Sequence, residues 1–347
     1  MKALVYGGPG ERSWQDAPDP RIIDATDAIV GIETTTICGT DLHILKGDVP
    51  EVTPGRILGH EGVGVVEAVG AAVTGVRPGD RVLISCISAC GRCRFCREAR
   101  YGQCLGGGGW VLGHLIDGTQ AEYVRIPFAD TSLHALPATV ASEQAVMLSD
   151  ILPTSYEVGV LNGTVRPADV VAIVGAGPIG LAAALTSRLF SPRHVLVVDL
   201  ADSRLDAAKH FGADLVVNSS TEDVRTRVDG LTGGLGADVV IEAVGVPETF
   251  ELCTRLVRAG GRVANIGVHG KPASLALDTL WIKDVTITTG LVDTFSTPKL
   301  LEMMSAGLLD VTGFGTHTYD LSEIESAYAA FADPTTSGAL KVVLNAV

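Results

Sequence analysis

Four cysteines within one short segment form the most specific chemical pattern in the chain. Cys90, Cys93, Cys96 and Cys104 follow the spacing C-x2-C-x2-C-x7-C. Four thiolates in one loop bind zinc in a closed tetrahedral site and need no helix or strand to present them. A disulfide framework would require an oxidising compartment, and iron–sulfur clusters use other cysteine spacings. The pattern therefore predicts a structural zinc ion that holds a loop together and takes no part in chemistry.

A second group of potential metal ligands is dispersed along the chain. The segment 38–43 reads Cys-Gly-Thr-Asp-Leu-His, and the segment 59–61 reads Gly-His-Glu. Together they offer a thiolate, a hydroxyl, imidazoles and carboxylates, which bind catalytic metals or transfer protons. A cysteine and a histidine 22 positions apart are also common as packing residues, so their spacing alone leaves both interpretations open.

A glycine motif in the middle of the chain predicts a dinucleotide-binding site. It follows the apolar run 170–174 and precedes a helical stretch, and it consists of Gly175, Ala176, Gly177, Pro178, Ile179 and Gly180. In such a motif the first glycine permits a tight turn, the second lets the backbone approach a pyrophosphate, and the third lets helix and strand pack closely. The N-terminus of the helix that follows offers free N–H groups to the phosphates.

An aspartate after the next apolar run indicates which dinucleotide binds. Asp199 follows the run 195–198, 19 positions beyond Gly180, where a carboxylate accepts hydrogen bonds from the adenosine ribose hydroxyl groups. Because a carboxylate there repels a 2′-phosphate, the sequence favours NAD over NADP. Two features leave room for other interpretations. Asp199 could cap a helix that starts near Asp202, and Arg204 could contact the cofactor at a 2′-phosphate.

Composition and charge exclude several classes of partner. The 347 residues carry a formal net charge of −14, 46% hydrophobic residues and 41 glycines, and no run of lysine and arginine stands out. Nucleic acids and anionic membrane surfaces are recognised by basic faces, so we expect neither as a partner. The longest apolar run, 170–185, is interrupted by glycines and a proline and is too short to span a bilayer. Without a signal-peptide pattern, the sequence predicts a soluble, cytoplasmic protein.

The apolar pattern divides the chain into parts of different character. Up to about residue 140, short Val/Ile runs separated by turn residues predict a barrel-like β domain. From about residue 151, alternating strands and helices predict a doubly wound parallel sheet. The predicted strands of that sheet are 170–174, 195–198, 215–217, 239–241 and 262–266. After about residue 294 the pattern indicates two helices and a last strand at 340–344, and periodicity does not show which domain this tail joins.

Taken together, these motifs resemble the zinc-containing medium-chain alcohol dehydrogenase family over essentially the whole chain. Besides the cysteine loop and the glycine motif, the resemblance is carried by the segments 38–43, 59–61 and 77–82, the last reading Arg-Pro-Gly-Asp-Arg-Val. It implies an α/β protein with a GroES-like, β-rich catalytic domain and a doubly wound, parallel Rossmann domain. The implied boundaries are 1–150 for the catalytic domain, 151–293 for the NAD-binding domain, and 294–347 for a return to the catalytic domain.

The same resemblance implies a catalytic zinc ion held by Cys38, His60 and Asp150. In the family the third ligand is a cysteine or a carboxylate just before the cofactor domain, and this chain has Asp150 there, as in bacterial secondary-alcohol dehydrogenases. Asp150 could instead cap the helical stretch that follows it. Glu61 resembles the family's glutamate that enters and leaves the coordination sphere, and Asp41 is placed by analogy to orient His60.

Further roles follow from the resemblance. Zinc with three protein ligands keeps a position for the alcohol oxygen and lowers its pKa, and a hydride then passes to nicotinamide. Thr40 resembles the family's relay hydroxyl, and His43 would pass the proton outward through the ribose unless it is only a surface histidine. Trp110 resembles a wall of the substrate pocket. Additional cofactor contacts are implied for Thr154, Gly267, Val268, Leu291 and Lys341.

We therefore predict a zinc-dependent, NAD-linked alcohol dehydrogenase or ketone reductase with two zinc ions per chain. Its substrate is expected to be a simple, secondary alcohol or the matching ketone or aldehyde. Zinc-dependent polyol, butanediol and threonine dehydrogenases are the alternative enzymes, and an NAD-binding sensor or structural protein is the alternative without catalysis. By analogy the chain forms a homo-oligomer, with a tetramer favoured over a dimer.

Overall fold

A computed structural model describes residues 1–346 and shows two compact units. The first unit joins Met1–Asp150 to the chain from Asp293 onward, and the second unit is Ile151–Val292. Within residues 1–346, no helix combines the length and the apolar character that crossing a membrane requires.

The strands in the described part of the chain are β1 (Lys2–Gly8), β2 (Glu11–Asp16), β3 (Ala28–Ile37), β4 (Gly62–Val69), β5 (Arg81–Ile84), β6 (Tyr123–Ile126), β7 (Leu133–Ala135), β8 (Val170–Val174), β9 (His194–Asp199), β10 (Leu215–Asn218), β11 (Ala237–Glu242), β12 (Val257–Asn265), β13 (Thr286–Thr289), β14 (Gly315–Asp320) and β15 (Lys341–Asn345).

The α-helices are α1 (Gly39–Lys46), α2 (Arg94–Arg97), α3 (Ala129–Ser132), α4 (Ser142–Ala145), α5 (Ile151–Thr154), α6 (Pro178–Ser187), α7 (Asp202–His210), α8 (Val224–Thr232), α9 (Pro247–Leu256), α10 (Leu277–Leu280), α11 (Thr297–Ser305), α12 (Ile324–Ala332) and α13 (Pro334–Ser337). A π-helical segment, Ser155–Leu161, follows α5. Short 3-10 segments lie at Tyr101–Gln103, Val146–Leu148, Arg188–Phe190 and Leu321–Glu323.

The first unit is built on a sheet that places the last strand beside an early one. Its strand order is β14-β15-β3-β4-β5-β7, and β6 also pairs with β3. β15 runs antiparallel to β3, with Val342 opposite Ile37, and β3 runs antiparallel to β4, with Thr35 opposite Gly62. β15, β3 and β4 are neighbours in this sheet. The end of β3, the start of β4 and the start of β15 therefore lie together at the same end of the sheet.

The second unit is a parallel sheet of six strands in the order β10-β9-β8-β11-β12-β13. All five residues of β8 are buried, as expected for a strand covered by helices on both faces. The order reverses between β8 and β11, and in sheets of this kind ligands bind beyond the carboxyl ends of the strands at such a reversal. The strands predicted at 170–174, 195–198, 215–217 and 239–241 all lie within observed strands, and β12 contains most of the one predicted at 262–266. The predicted doubly wound sheet is confirmed.

Each unit has its own apolar core. In the first, Val30, Val66 and Val82 from neighbouring strands are at most 1% exposed. In the second, Leu196 and Val240 are fully buried in the parallel sheet. Burying one such side chain contributes about 1.5–3 kcal/mol, so these cores hold the strand ends in place for the side chains that follow them.

Candidate metal centres and coenzyme site

A cluster of four potential metal ligands lies in the first unit, at the end of the sheet where β3 finishes and β4 begins. It comprises Cys38, His60, Glu61 and Asp150, whose ligand atoms all lie within 4.8 Å of one another. Cys38 directly follows β3, and His60 and Glu61 directly precede β4, so the antiparallel pairing of these strands brings them together. Asp150 Oδ2 lies 3.7 Å from Cys38 Sγ and 3.4 Å from His60 Nε2. The structure thus brings together the three ligands that the resemblance implied.

A buried aspartate supports two members of this cluster. Asp41 is 1% exposed, and its Oδ2 accepts hydrogen bonds from the Cys38 backbone N–H at 2.9 Å and from Gln120 Nε2 at 3.0 Å. Its Oδ1 has no hydrogen-bond partner among the described residues and lies 4.0 Å from His60 Nδ1. An aspartate on Nδ1 leaves Nε2 to face the cluster, which is the arrangement that metal-binding histidines use.

The pKa values of the cluster residues are shifted because several ionisable groups lie close together and away from water. Burial raises the pKa of Cys38 and that of Glu61, in each case against the attraction of the Lys341 ammonium. Burial also disfavours the charged form of His60, but its contacts with Asp150 and Cys38 outweigh this effect and raise its pKa well above the usual value. A divalent cation would neutralise these groups, and a thiolate, an imidazole and a carboxylate are suitable ligands for zinc.

Glu61 has a buried partner that the sequence motifs did not indicate. Lys341, the first residue of β15, is 1% exposed, and its Nζ donates hydrogen bonds to Glu61 at 2.7 Å and to the Ile37 carbonyl at 3.1 Å. The Thr36 hydroxyl also donates to Glu61. A lysine within the apolar run 340–344 was the available signal, because such a lysine needs a buried acidic partner. The ribose contact implied for Lys341 stays a prediction.

The two residues implied in proton transfer lie on α1. Thr40 Oγ1 is 3.7 Å from Cys38 Sγ, beside the four-residue ligand cluster. His43 is partly exposed, and its Nδ1 is 2.9 Å from Asp48 Oδ2. Thr40 and His43 lie three positions apart on α1 and therefore share a face of this helix.

An aromatic pair borders the cluster. The Trp110 ring lies edge-on to the His60 ring, with centroids 6.3 Å apart, and stacks on the His114 ring at 4.2 Å. His114 Nδ1 is also 2.9 Å from the Trp110 carbonyl oxygen. The position of Trp110 beside a ligand of the candidate metal fits the predicted pocket wall. Spacing in the sequence indicates no role for His114, because it matches no metal motif.

The four cysteines of the loop converge on a second candidate metal centre. The sulfur atoms of Cys90, Cys93, Cys96 and Cys104 all lie within 4.8 Å of one another, and those of Cys90 and Cys96 are 3.9 Å apart. Tetrahedral zinc with bonds of about 2.3 Å has sulfur–sulfur edges of about 3.8 Å, so the spacing fits. Backbone N–H groups of Cys96 and Leu105 donate to Cys93 Sγ and lower its pKa to about 6, which favours the thiolate.

The glycine motif of the second unit has the geometry of a phosphate cradle. Gly175 has a φ of +106°, which side chains rarely tolerate, and a Cβ at Gly180 would lie 1.8 Å from the Gly175 carbonyl oxygen. By contrast, a Cβ at Gly177 would meet no heavy atom within 4 Å among the described residues outside its chain neighbours. α6 begins at Pro178, with Gly177 as its N-cap and Ile179 in its first turn. The open backbone in front of a helix N-terminus suits a pyrophosphate.

Asp199 lies at the end of β9 and is bonded to the glycine loop. Its Oδ2 accepts from the Ala176 N–H at 2.7 Å, and its Oδ1 accepts from the N–H groups of Leu200 and Ala201 at 2.8 and 3.0 Å. The N-cap of α7 is Ala201, so Asp199 is not the cap residue of that helix. The carboxylate joins two segments that a dinucleotide would contact, which the sequence did not predict.

The other residues implied in cofactor binding stay predictions. Arg204 lies in the first turn of α7 and is partly buried. Val268 and Leu291 are 65% and 44% exposed and are available for a ligand. A Cβ at Gly267 would lie 2.2 Å from the Gly245 nitrogen, so this position requires glycine. Thr154, the last residue of α5, is partly buried.

Comparison with known proteins gives the same picture over the full length. Residues 24–138 match the alcohol dehydrogenase GroES-like domain, and residues 178–306 match the zinc-binding dehydrogenase family. An alcohol dehydrogenase of Cupriavidus necator is 38% identical, covering 99% of this chain and 98% of that protein. The zinc dependent alcohol dehydrogenase 2 from Streptococcus pneumonia is 48% identical with a TM-score of 0.96, covering 100% of this chain and 98% of the other. The alcohol dehydrogenase TADH from Thermus sp. ATN1 is 35% identical with a TM-score of 0.92 and covers 100% of both chains.

The chain belongs to the zinc-type medium-chain alcohol dehydrogenase family. Membership confirms the resemblance and the predicted combination of a GroES-like domain with a Rossmann domain. Zinc and a nicotinamide dinucleotide are the cofactors of the family, and similar solved structures hold NADH in one case and NADP in another.

For this alcohol dehydrogenase family member, Cys96→Ser tests the structural centre. We expect one zinc ion per chain instead of two and a thermal transition lowered by about 10 °C, because the metal no longer closes the loop. Zinc analysis and thermal unfolding measure both effects. Cys253→Ser, which makes the same change at a buried cysteine of the second unit, should retain both ions. An equally stable Cys96→Ser variant without activity would contradict a structural role.

Proposed function

We propose that this protein is a zinc-dependent, NAD-linked alcohol dehydrogenase that interconverts simple secondary alcohols and their ketones. The observation that carries the proposal is the convergence of Cys38, His60 and Asp150, which are remote in sequence, at one point. Their thiolate, imidazole and carboxylate are together a suitable set of ligands for zinc. A protein that only bound NAD would have no use for this set. The choice of a secondary alcohol rests on Asp150 as the third ligand.

The residues around the cluster divide the work of catalysis. Cys38, His60 and Asp150 would hold zinc, which supplies Lewis acidity towards the alcohol oxygen, while bound NAD supplies the hydride acceptor. Asp41 Oδ1 lies 4.0 Å from His60 Nδ1, on the side of the ring away from the cluster, and would favour the orientation in which Nε2 binds the metal. Lys341 holds the Glu61 carboxylate at the edge of the cluster.

The proton of the alcohol leaves by way of α1. The Thr40 hydroxyl, beside Cys38, accepts it and passes it towards His43. Because His43 Nδ1 is engaged by Asp48, its Nε2 is the atom that takes the proton. The partial exposure of His43 lets it release the proton to water.

The coenzyme preference for NAD is tested by Asp199→Gly. We expect the ratio of kcat/KM with NAD to that with NADP to fall about 10- to 100-fold, because charge-assisted hydrogen bonds to the ribose are lost and the repulsion of a 2′-phosphate disappears. Steady-state kinetics with both coenzymes measure the ratio. Asp199→Asn keeps an acceptor for the Ala176 N–H and isolates the effect of charge. An unchanged ratio in both variants would contradict the ribose contact.

The substrate class is tested by following NADH formation with a panel of alcohols. Ethanol, 2-butanol, benzyl alcohol, 2,3-butanediol, sorbitol and threonine are compared by kcat/KM in protein shown to hold two zinc ions per chain. The proposal requires the highest value with 2-butanol. Preference for a diol, a polyol or threonine would retain the metal chemistry but identify a different dehydrogenase, and no turnover at all would contradict the proposed activity.

We also propose that the chain forms a homo-oligomer in the cytoplasm, with a tetramer as the expected state. Trp281, Ile282 and Leu277 are 74%, 69% and 62% exposed, close in sequence to β13, the edge strand of the parallel sheet. Large apolar side chains beside an unpaired strand edge support self-association. Light scattering after size-exclusion chromatography gives the mass of the assembly. A monomer would contradict the proposed oligomer.

The proposed cytoplasmic location is supported by the cysteines. Seven cysteines without a disulfide among the described residues suit a reducing compartment.

A further inference from the structure

Cys86 touches the candidate catalytic metal site without belonging to the four-residue cluster. Cys86 is 3% exposed and lies just beyond the end of β5. Its Sγ is 3.7 Å from Asp150 Oδ1 and is placed to donate a hydrogen bond to it. The other oxygen, Oδ2, is the one that lies near Cys38 Sγ and His60 Nε2. The two oxygens of Asp150 therefore have different neighbours.

The backbone holds Cys86 against the segment that carries Asp150. The Cys86 N–H donates to the Ser149 carbonyl oxygen at 3.1 Å, one residue before Asp150. The Ser149 hydroxyl in turn accepts from the Gly62 N–H at 3.1 Å, at the start of β4. Gly62 is paired with Ile84 in the sheet, two residues before Cys86. Cys86 is thus attached to the Asp150 segment through both its main chain and its side chain.

We propose that Cys86 is a positioning residue that makes Asp150 bind zinc through one oxygen. The Cys86 thiol donates to Oδ1, and this leaves Oδ2 to face Cys38 and His60. If both oxygens of Asp150 bound the ion, they would fill the position that a catalytic zinc site keeps open for substrate. Hydrogen bonds to metal-bound carboxylates orient the ligands and tune the metal in this way. The inference rests on the proposed assignment of Asp150 as a zinc ligand.

The chemistry of the thiol suits this role. An S–H group is a weak donor, so it orients the carboxylate without neutralising its charge. A serine hydroxyl can donate to the same oxygen, whereas alanine and valine cannot. The set Cys86→Ser, Cys86→Ala and Cys86→Val therefore separates the donated hydrogen bond from the filling of space. Cys253→Ala serves as the control for loss of a buried thiol in the second unit.

The test replaces zinc by Co²⁺, whose visible absorption reports coordination number at sites of this type. The spectrum of the catalytic site is obtained by difference from Cys38→Ser, which retains the four-cysteine centre. We expect Cys86→Ala to shift this spectrum towards a higher coordination number. We also expect it to change the rate of zinc release to a chelator by about 10-fold. Cys86→Ser should keep both properties. If Cys86→Ala does not fold, Cys86→Val takes its place, because it also lacks a donor and fills more of the space.

Two results would overturn the inference: an unchanged spectrum and release rate in the variants without a donor, or a serine variant that behaves like alanine. Asp150→Ala separates this failure from failure of the proposed function. If Asp150→Ala still retains the catalytic zinc, the ligand assignment itself is wrong. If it loses that zinc while Cys86→Ala matches the wild type, only the role of Cys86 is wrong.

Discussion

Cys38→Ser is expected to lower kcat for alcohol oxidation by about 10³-fold or more while leaving NAD affinity unchanged. The reason is that Cys38 supplies the thiolate of the candidate catalytic zinc site, and Lewis-acid stabilisation of the alkoxide is worth several kcal/mol. Cys38 lies in the first unit, whereas the glycine motif and Asp199 lie in the second, so the two binding functions are carried by separate residues. Turnover, NAD binding by fluorescence titration, and zinc content measure the three quantities.

The matched control for this variant is Cys253→Ser, the same replacement at a buried cysteine outside both metal clusters. It should retain turnover and two zinc ions per chain. A Cys38→Ser variant that lost NAD binding would have failed through general damage to the fold. A variant with near-normal turnover would show that Cys38 does not hold the catalytic metal.

Lys341→Met is expected to destabilise the first unit by about 3–5 kcal/mol, because it leaves the Glu61 carboxylate buried without its cation. Lys341 and Glu61 are each 1% exposed and are joined at 2.7 Å. Burial disfavours the ammonium, but the attraction of Glu61 and Cys38 outweighs this and raises the pKa of Lys341, so the lysine keeps its charge at neutral pH. Methionine has a similar length, so the change removes charge with little change in packing. Denaturant unfolding followed by a signal from the first unit measures the loss.

The double variant Lys341→Met with Glu61→Gln provides the decisive control. Removing both charges should recover most of the lost stability, since a neutral pair pays a smaller desolvation cost than one unpaired charge. Lys299→Met, at an exposed lysine paired with Glu302 on α11, should change stability by less than about 1 kcal/mol. If Lys341→Met lowered stability no more than Lys299→Met, the buried pair would not be needed to hold the ends of β3, β4 and β15 together.

Local motifs could be predicted from the sequence because their geometry is set over a few residues. The four cysteines occupy 15 consecutive positions, and a loop of that length can close around one ion with little help from the rest of the fold. The strand, glycine loop and helix of 170–187 are likewise contiguous, and steric demands at Gly175 and Gly180 restrict those positions to glycine. Alternating apolar runs were sufficient to predict the parallel sheet.

The dispersed site required knowledge of the family before it could be predicted. Cys38 and His60 by themselves allowed packing or metal binding, and nothing in the spacing related either to Asp150. Only the pairing of β3 with β4 and the turn before α5 bring these side chains within hydrogen-bonding distance of one another. Such contacts depend on strand register, and a shift of one residue would point each side chain to the opposite face.

The sequence by itself therefore determined the potential ligand types, the four-cysteine loop, the dinucleotide motif and the alternation of strands and helices. The tertiary structure alone decided that Lys341 pairs with Glu61, 280 positions away, that Cys86 contacts one oxygen of Asp150, and that Asp199 is bonded to the glycine loop. The physical reason is that local motifs depend on backbone conformation over a few residues, whereas the partners of buried charged and polar groups depend on how distant segments pack. Burial makes those partnerships obligatory, and the fold selects which groups form them.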